Sequence, residues 1–249
     1  QRYHNYKGRV YIPARFVGEA FDKVVVWDGF AKRIYMRDKT EFNKIKSMLE
    51  KSVALMDGLK RYKEAEKTEW YETTETGAVN DYSYKMSGFT DIENKSVYWT
   101  LDYDTYMMDY CVADHNLYTK DTIDNQWNKE SMSNQDFNDH FVDFLDLGDV
   151  LYTALFLDPS QSAGSIRLKG NVSLDYYKDT DPTQKVLFDD SRAEVVIDEA
   201  TGYITELRTF DRCKVTPEDE EAYTAEYDTI YTTSDYNGNF STKLPIEIK

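Results

Sequence analysis

The feature that most constrains this chain is a strict two-residue alternation that returns in segment after segment. Val97, Trp99, Leu101 and Tyr103 form an apolar row opposite Tyr98, Thr100, Asp102 and Asp104. Ile166, Leu168, Val172 and Leu174 do the same against Arg167, Lys169, Ser173 and Asp175, with Gly170 a gap in the row. A period of two puts one side on a core and the other in water, which is the habit of antiparallel strands. Ala193–Ile197 and Tyr203–Phe210 flank a short loop ending near Gly202, a hairpin. Tyr223, Tyr227 and Tyr231 share one face of a further strand. From about Tyr62 to Lys120 the chain is long strands rich in Tyr and Thr, types that suit a half-buried pleated surface.

Two segments switch to helical spacing. Asp38 caps a predicted helix over Asp38–Asp57 whose stripe is Phe42, Ile45, Leu49, Val53 and Met56, and Gly58 stops it. Ser133 and Asp136 resemble a capping box opening a second helix over Asn134–Leu147, with Phe137, Phe141, Phe144 and Leu145 as its stripe. Val150–Leu157 stays apolar until Pro159. Many strands and two helices give an α+β fold: a large antiparallel sheet with helices against one face.

Charge divides the chain. Residues 1–37 carry eight basic and three acidic side chains, a net of +5, and the total of −16 leaves −21 for residues 38–249. The first part reads as a small βαββ piece: Arg9–Pro13, a helix over Ala14–Phe21, Val24–Trp27, a turn at Asp28-Gly29, and Arg33–Met36. So short a segment cannot build its own core, so it is expected to bury Phe16, Phe21, Val24 and Val26 against the opening helix, with basic side chains facing acidic ones; the rival reading is a free-standing basic arm, solvated and available to anionic wall polymers. The acidic balance excludes a nucleic-acid partner recruited by simple electrostatics, and no apolar run reaches the ~20 residues of a membrane span. The chain begins at Gln1 without Met or an export signal, as a trimmed or mature chain does.

The residues of the first part carry a resemblance. Gly8-Arg9-Val10-Tyr11-Ile12-Pro13-Ala14-Arg15-Phe16-Val17-Gly18-Glu19-Ala20-Phe21, then Val24-Val25-Val26-Trp27-Asp28 and Ile34-Tyr35-Met36, resemble the second half of a copper amine oxidase N-terminal-like stalk domain, over residues 8–36. The resemblance implies a wall-associated or binding accessory module. Oxidase chemistry is not implied, because a quinone motif and paired His copper ligands are missing: Asn5-Tyr6 precedes Lys7, and His4, His115 and His140 stand singly.

Residues 42–249 are similar to the LolA/LppX-like envelope lipoproteins. The carriers are the opening helix, the Tyr-rich strands, His115-Asn116-Leu117-Tyr118-Thr119-Lys120, Trp127-Asn128-Lys129, the central helix region, Val195-Val196-Ile197-Asp198-Glu199-Ala200-Thr201-Gly202-Tyr203-Ile204, and Leu244-Pro245-Ile246-Glu247-Ile248. That likeness implies a curved half-barrel whose helix-covered concave face holds acyl chains or another apolar ligand. It places Trp99, Leu101, Tyr103, Met107, Ile166, Leu168, Val172 and Leu174 as candidate ligand-facing residues. It also implies an exported envelope protein, lipid-anchored at full length, with a lipid or an envelope protein as partner, and the basic first part adds a cell-wall polymer.

Signatures of catalysis are missing from the sequence: no Gly-x-Ser-x-Gly, no phosphate-binding Gly-rich loop, no His-Glu-x-x-His, no Cys-x-x-Cys. A hydrolase built on paired carboxylates has no local mark. Counted as an EF-hand loop from Asp179, the sixth position is Gln184 and the twelfth Asp190, so a solvated acidic loop is the expectation. The expectation is therefore a non-enzymatic ligand binder without cofactor or metal. The alternative is a structural or protein-interaction module of the envelope with no small-molecule ligand. Cys111, read as sharing a face with Trp99, Leu101, Tyr103 and Met107, could be joined to Cys213 in an exported protein.

Overall fold

A computed structural model describes residues 4–7, 9–11, 13–28, 33–141, 156–157, 162, 164–171, 184–217 and 221–245. Its centre is one open antiparallel sheet of eleven strands. In spatial order these are β10 (Asn128–Ser131), β9 (Asn116–Asp121), β8 (Met107–Ala113), β7 (Ser96–Asp102), β6 (Val79–Asp91) and β5 (Arg61–Thr74). The row continues with β15 (Tyr223–Ser234), β14 (Ile204–Pro217), β13 (Gln184–Asp198), β12 (Ser165–Asn171) and β11 (Phe156–Leu157). Two antiparallel runs thus meet where β15 pairs with β5, joining Tyr223 to Thr74 and Ser234 to Lys63. Accumulated right-handed twist curves a sheet this wide into a half-barrel.

Register makes the two faces unlike. Directly paired residues share a face, so Leu168, Val195, Leu207, Tyr231, Glu66, Met86 and Leu101 line up on the inner one. Two bulges keep β13 and β14 in phase with it. One lies between Phe188 and Asp190 and the other between Val196 and Ile197. Without the first, Phe188 and Ala193 would point to opposite sides. Asp189 and Asp190 thus stand in a bulged strand, with Asp190 3.1 Å from Arg192, and not in an acidic loop. Asp179–Asp181 lie outside the described residues.

Helix α2 (Lys39–Asp57) lies on the inner face. Asp38 caps it by accepting from the Thr40 and Glu41 amides, and Gly58 ends it, both as the sequence predicts. Ile45, Leu49, Ser52 and Met56 form its buried line, against Leu168, Val195, Ile197, Ile204 and Leu207. Helix α3 (Asn134–Asp139) caps the other end of the same face, setting Phe137 and, just beyond it, Phe141 on Val97 and Val112. It is shorter than its sequence stripe predicts. His140 is its C-cap and the Phe141 amide turns back to Asn138, while Phe144 and Leu145 lie outside the described residues.

The N-terminal piece gains a strand over the predicted βαββ: β1 (His4–Tyr6) pairs with β2 (Arg9–Tyr11), before α1 (Ala14–Ala20), β3 (Lys23–Asp28) and β4 (Arg33–Asp38). β4 runs directly into α2, and the Lys39 amide donates to the Asp22 carbonyl. The expected burial is met only at Val26; Phe21 is 71% exposed. Two ion pairs join the piece to the start of α2 among the described residues, and one is reversed: Lys23 to Asp38, and Lys39 to Asp22. The physical reason is that the buried line of α2, Ile45, Leu49, Ser52 and Met56, is taken up by the large sheet and leaves none of itself to cover α1.

A candidate ligand groove beside the second helix

The groove follows from how α2 sits. Its line Ile45–Leu49–Ser52–Met56 rests on the sheet, so the neighbouring flank Lys44, Met48, Lys51 and Leu55, also at spacings of three and four, overhangs the strands to one side. Below that overhang, β12 and β13 contribute Ile166 and Ile197, and the β13–β14 turn contributes Asp198, Glu199 and Gly202. The groove, open to solvent on one side, has a volume of about 420 Å³, within the ~300–1,000 Å³ usual for small-molecule sites. Ser52 is 2% exposed and borders it, a small polar residue where the apolar stripe leaves room. Gly202 has φ +77°, which its turn requires, and a Cβ there would stand 2.9 Å from the Leu55 side chain.

Toward the middle of the same face the lining becomes aromatic and acidic. Glu64, 6% exposed, accepts from Thr90 Oγ1 at 2.6 Å, Trp99 Nε1 at 2.6 Å and the Tyr231 hydroxyl. Glu66 accepts from Thr68 Oγ1 at 3.0 Å and from the Tyr84 hydroxyl. Burial first, and the nearby carboxylates second, push the Tyr62, Tyr231 and Tyr84 phenols above their ordinary range. Rings stack along this surface: Trp70 on Tyr82 at 5.0 Å, Tyr84 on Tyr103 at 5.7 Å, Trp99 on Tyr110 at 5.2 Å. Tyr110 in turn hydrogen-bonds His140 Nε2 at 2.7 Å, and His140 Nδ1 lies 2.7 Å from the Asp136 carbonyl. His140 therefore ties α3 to β8. No group of three or more His, Cys, Asp or Glu is arranged to hold a metal among the described residues.

The sequence-predicted ligand residues are split by this geometry. Trp99, Leu101 and Tyr103 do face inward, but on or just beyond β7, six strands from Ile166 and Leu168, about 29 Å measured along the curved sheet at the ordinary strand spacing. Ile166 lines the groove, and Leu168 is fully buried beneath α2. Val172 and Leu174 lie outside the described residues. Met107 pairs with Asp102 and stands on the outer face, 45% exposed. Trp99 pairs with Tyr110, so Cys111 also faces outward, contrary to the expected shared face. The turn through Tyr103–Tyr106 shifts the alternation.

The disulfide expectation fails with it. Cys111 and Cys213 are free and buried, on opposite faces and five strands apart, roughly 24 Å measured along the sheet. Burial pushes the Cys111 thiol up to about 12 and the Cys213 thiol up to about 11. What sequence reading missed is the α2 flank and the Glu64–Glu66 pair. Both left a signal: a second helical stripe beside the first, and two acids in phase with Tyr62 and Trp70.

No protein-family model and no curated protein matches the chain. Among solved structures it is similar to a DUF1329 family protein from Desulfovibrio piger, with 11% identity, 82% of this chain and 94% of that one covered, and a TM-score of 0.27. It is also similar to a LolA superfamily protein from Nitrosomonas europaea, with 11% identity, 79% and 94% covered, and a TM-score of 0.26. The fold described above stands on the strand pairing alone.

Proposed function

We propose that the protein is a non-enzymatic binder of an apolar or amphipathic, lipid-like molecule held between α2 and the inner face of the sheet. The observation that carries this is the 420 Å³ groove floored by Ile166 and Ile197 and walled by Met48 and Leu55. A binding role fits better than catalysis because the polar groups of this face are already engaged. Glu64 is held by three donors, and His140 bonds at both ring nitrogens. In this reading the protein works outside the cytoplasm at a bacterial envelope, and the basic N-terminal piece serves attachment to an anionic wall polymer. The first extension rests on the sequence resemblances and the second on the charge of residues 1–37.

The test is native mass spectrometry of the purified protein after incubation with a bacterial lipid extract. Retained lipid is the expected result, and its displacement by Leu55→Glu places it at α2. Failure to retain any lipid across extracts would contradict the proposal.

A second reading, a protein-interaction module, is favoured by one observation. On the small β3–β4 sheet Trp27, Ile34 and Met36 are 55%, 50% and 50% exposed. Trp27 pairs directly with Ile34, so these side chains form one apolar face. A pull-down that depends on Trp27 while lipid retention is absent would select that reading.

A further inference from the structure

The groove is not electrically neutral along its length. Lys44 and Lys51 border it from α2, seven residues and so two turns apart, with Ser47 between them. Neighbouring lysines of the helix are spoken for: Lys46 meets Glu50 at 3.7 Å and Lys39 meets Asp22 at 3.8 Å. Neither Lys44 nor Lys51 has an ion pair among the described residues. The acids across the groove do not answer them. Asp198 turns into its own loop, accepting from Thr201 Oγ1 at 2.6 Å and the Thr201 amide at 2.8 Å, which hold its carboxyl below the usual range. Glu199 is exposed at the turn, on the wall opposite α2.

In a chain of net charge −16, the groove divides its charges between its walls, with Lys44 and Lys51 on the α2 side and Asp198 and Glu199 on the strand side. Resting on the reading of this groove as a ligand site, we propose that its ligand is an anionic amphiphile. The head, a carboxylate, sulfate or phosphate monoester, sits against Lys44, Ser47 and Lys51. The tail lies over Ile166, Ile197 and Leu55. Ser47 adds a hydroxyl donor, and a charge-assisted bond to lysine favours an anionic oxygen over a neutral one. A cationic head of equal chain length meets the same tail surface but is repelled by both lysines.

Two probes differing only in head charge decide this, dodecanoate and dodecyltrimethylammonium, titrated calorimetrically below their micelle-forming concentrations into the full chain. Dodecanoate should bind roughly ten-fold tighter, a preference that follows from two partly exposed contacts of about 0.7 kcal/mol each. Lys44→Gln with Lys51→Gln, both exposed positions, should bring the two affinities within about two-fold and leave the unfolding midpoint unchanged. Raising salt to 1 M should shrink the preference in the unaltered protein. Leu55→Glu should abolish both interactions. Equal binding of both probes, or a preference that survives the double substitution, overturns the anionic head while leaving the groove reading intact. Binding of neither probe overturns both.

Discussion

The two faces of the sheet are made from the same strands and hold together in different ways. Along β13, β14 and β15, one set of alternate residues is Val195, Leu207 and Tyr231, buried or half-buried under α2. The other set is Glu194, Arg208 and Ile230 with Asp228, half-buried to exposed. There the side chains form a ladder of opposite charges. Arg208 grips Asp228 in two bonds, Lys169 and Arg167 meet Glu194, Arg212 lies 3.5 Å from Glu226, and Lys67 lies 2.8 Å from Glu69. Such exposed pairs are worth only ~0–1 kcal/mol each, whereas a buried leucine is worth several times that. Along these strands the outer face therefore secures solubility and register, and the inner face supplies stability and the room for a ligand.

The sharpest way to break this comparison is to cut the inner face. Leu49→Ala removes a fully buried side chain between α2 and the sheet and should lower the unfolding free energy by about 3 kcal/mol, read from urea titration. A loss under about 1 kcal/mol would mean that α2 is not held as described. Glu64→Leu comes next. It leaves Trp99, Thr90 and Tyr231 without their acceptor, and a cost of about 2 kcal/mol is expected, together with a shift in Trp emission. If the variant is as stable as the parent, the carboxylate is not the hub of that face.

Alkaline titration reads the same face without mutation. Tyr227 is pushed up to about 12 by burial, with smaller contributions from nearby Cys213, Tyr223, Glu72 and Asp211, and Tyr62, Tyr84 and Tyr231 are raised as well. An unfolded phenol titrates near ~10. Stability that depends on keeping these phenols protonated is full below pH ~10 and falls as pH rises toward their folded values. The ultraviolet ionisation signal should split into an ordinary group and a late one that appears with unfolding. A single transition near pH 10 would show these rings to be solvated.

How much of this was legible beforehand differs by element. The strands around Trp99 and Ile166 and the helix capped by Asp38 could be read directly, because one-sided burial writes its period into the residues. Face assignment across a turn could not. Whether Cys111 looks inward depends on how the chain reverses between Tyr103 and Tyr106, where Asp104 adopts φ +61°. The bulge at Phe188–Asp190 was equally hidden, since Asp189 and Asp190 look like loop residues in sequence. As for the groove, Ile166 was marked by its alternation. Lys44, Met48, Lys51 and Leu55 became a wall only once Ser52, and not a larger residue, was seen to sit between α2 and the sheet.

The smallest expected effect belongs to the outer face. The Arg208 guanidinium holds the Asp228 carboxyl below the usual carboxylate range. The pair's contribution is complete above the unfolded value of ~3.9 and is lost as pH falls through the folded one. Arg208→Gln should therefore cost at most about 1 kcal/mol at neutral pH and nothing further once Asp228 is protonated. A larger loss would put this face on a par with the inner one.

The claim that matters most, that the α2 groove holds the ligand, is tested most directly by photo-crosslinking with a dodecanoate analogue carrying a diazirine near its tail end, followed by peptide mapping. The account predicts adducts on Met48–Leu55 and on the strands carrying Ile166 and Ile197, competed away by unlabelled dodecanoate. Adducts concentrated on the outer face around Arg208 and Phe210, or on Trp27 and Ile34, would contradict it.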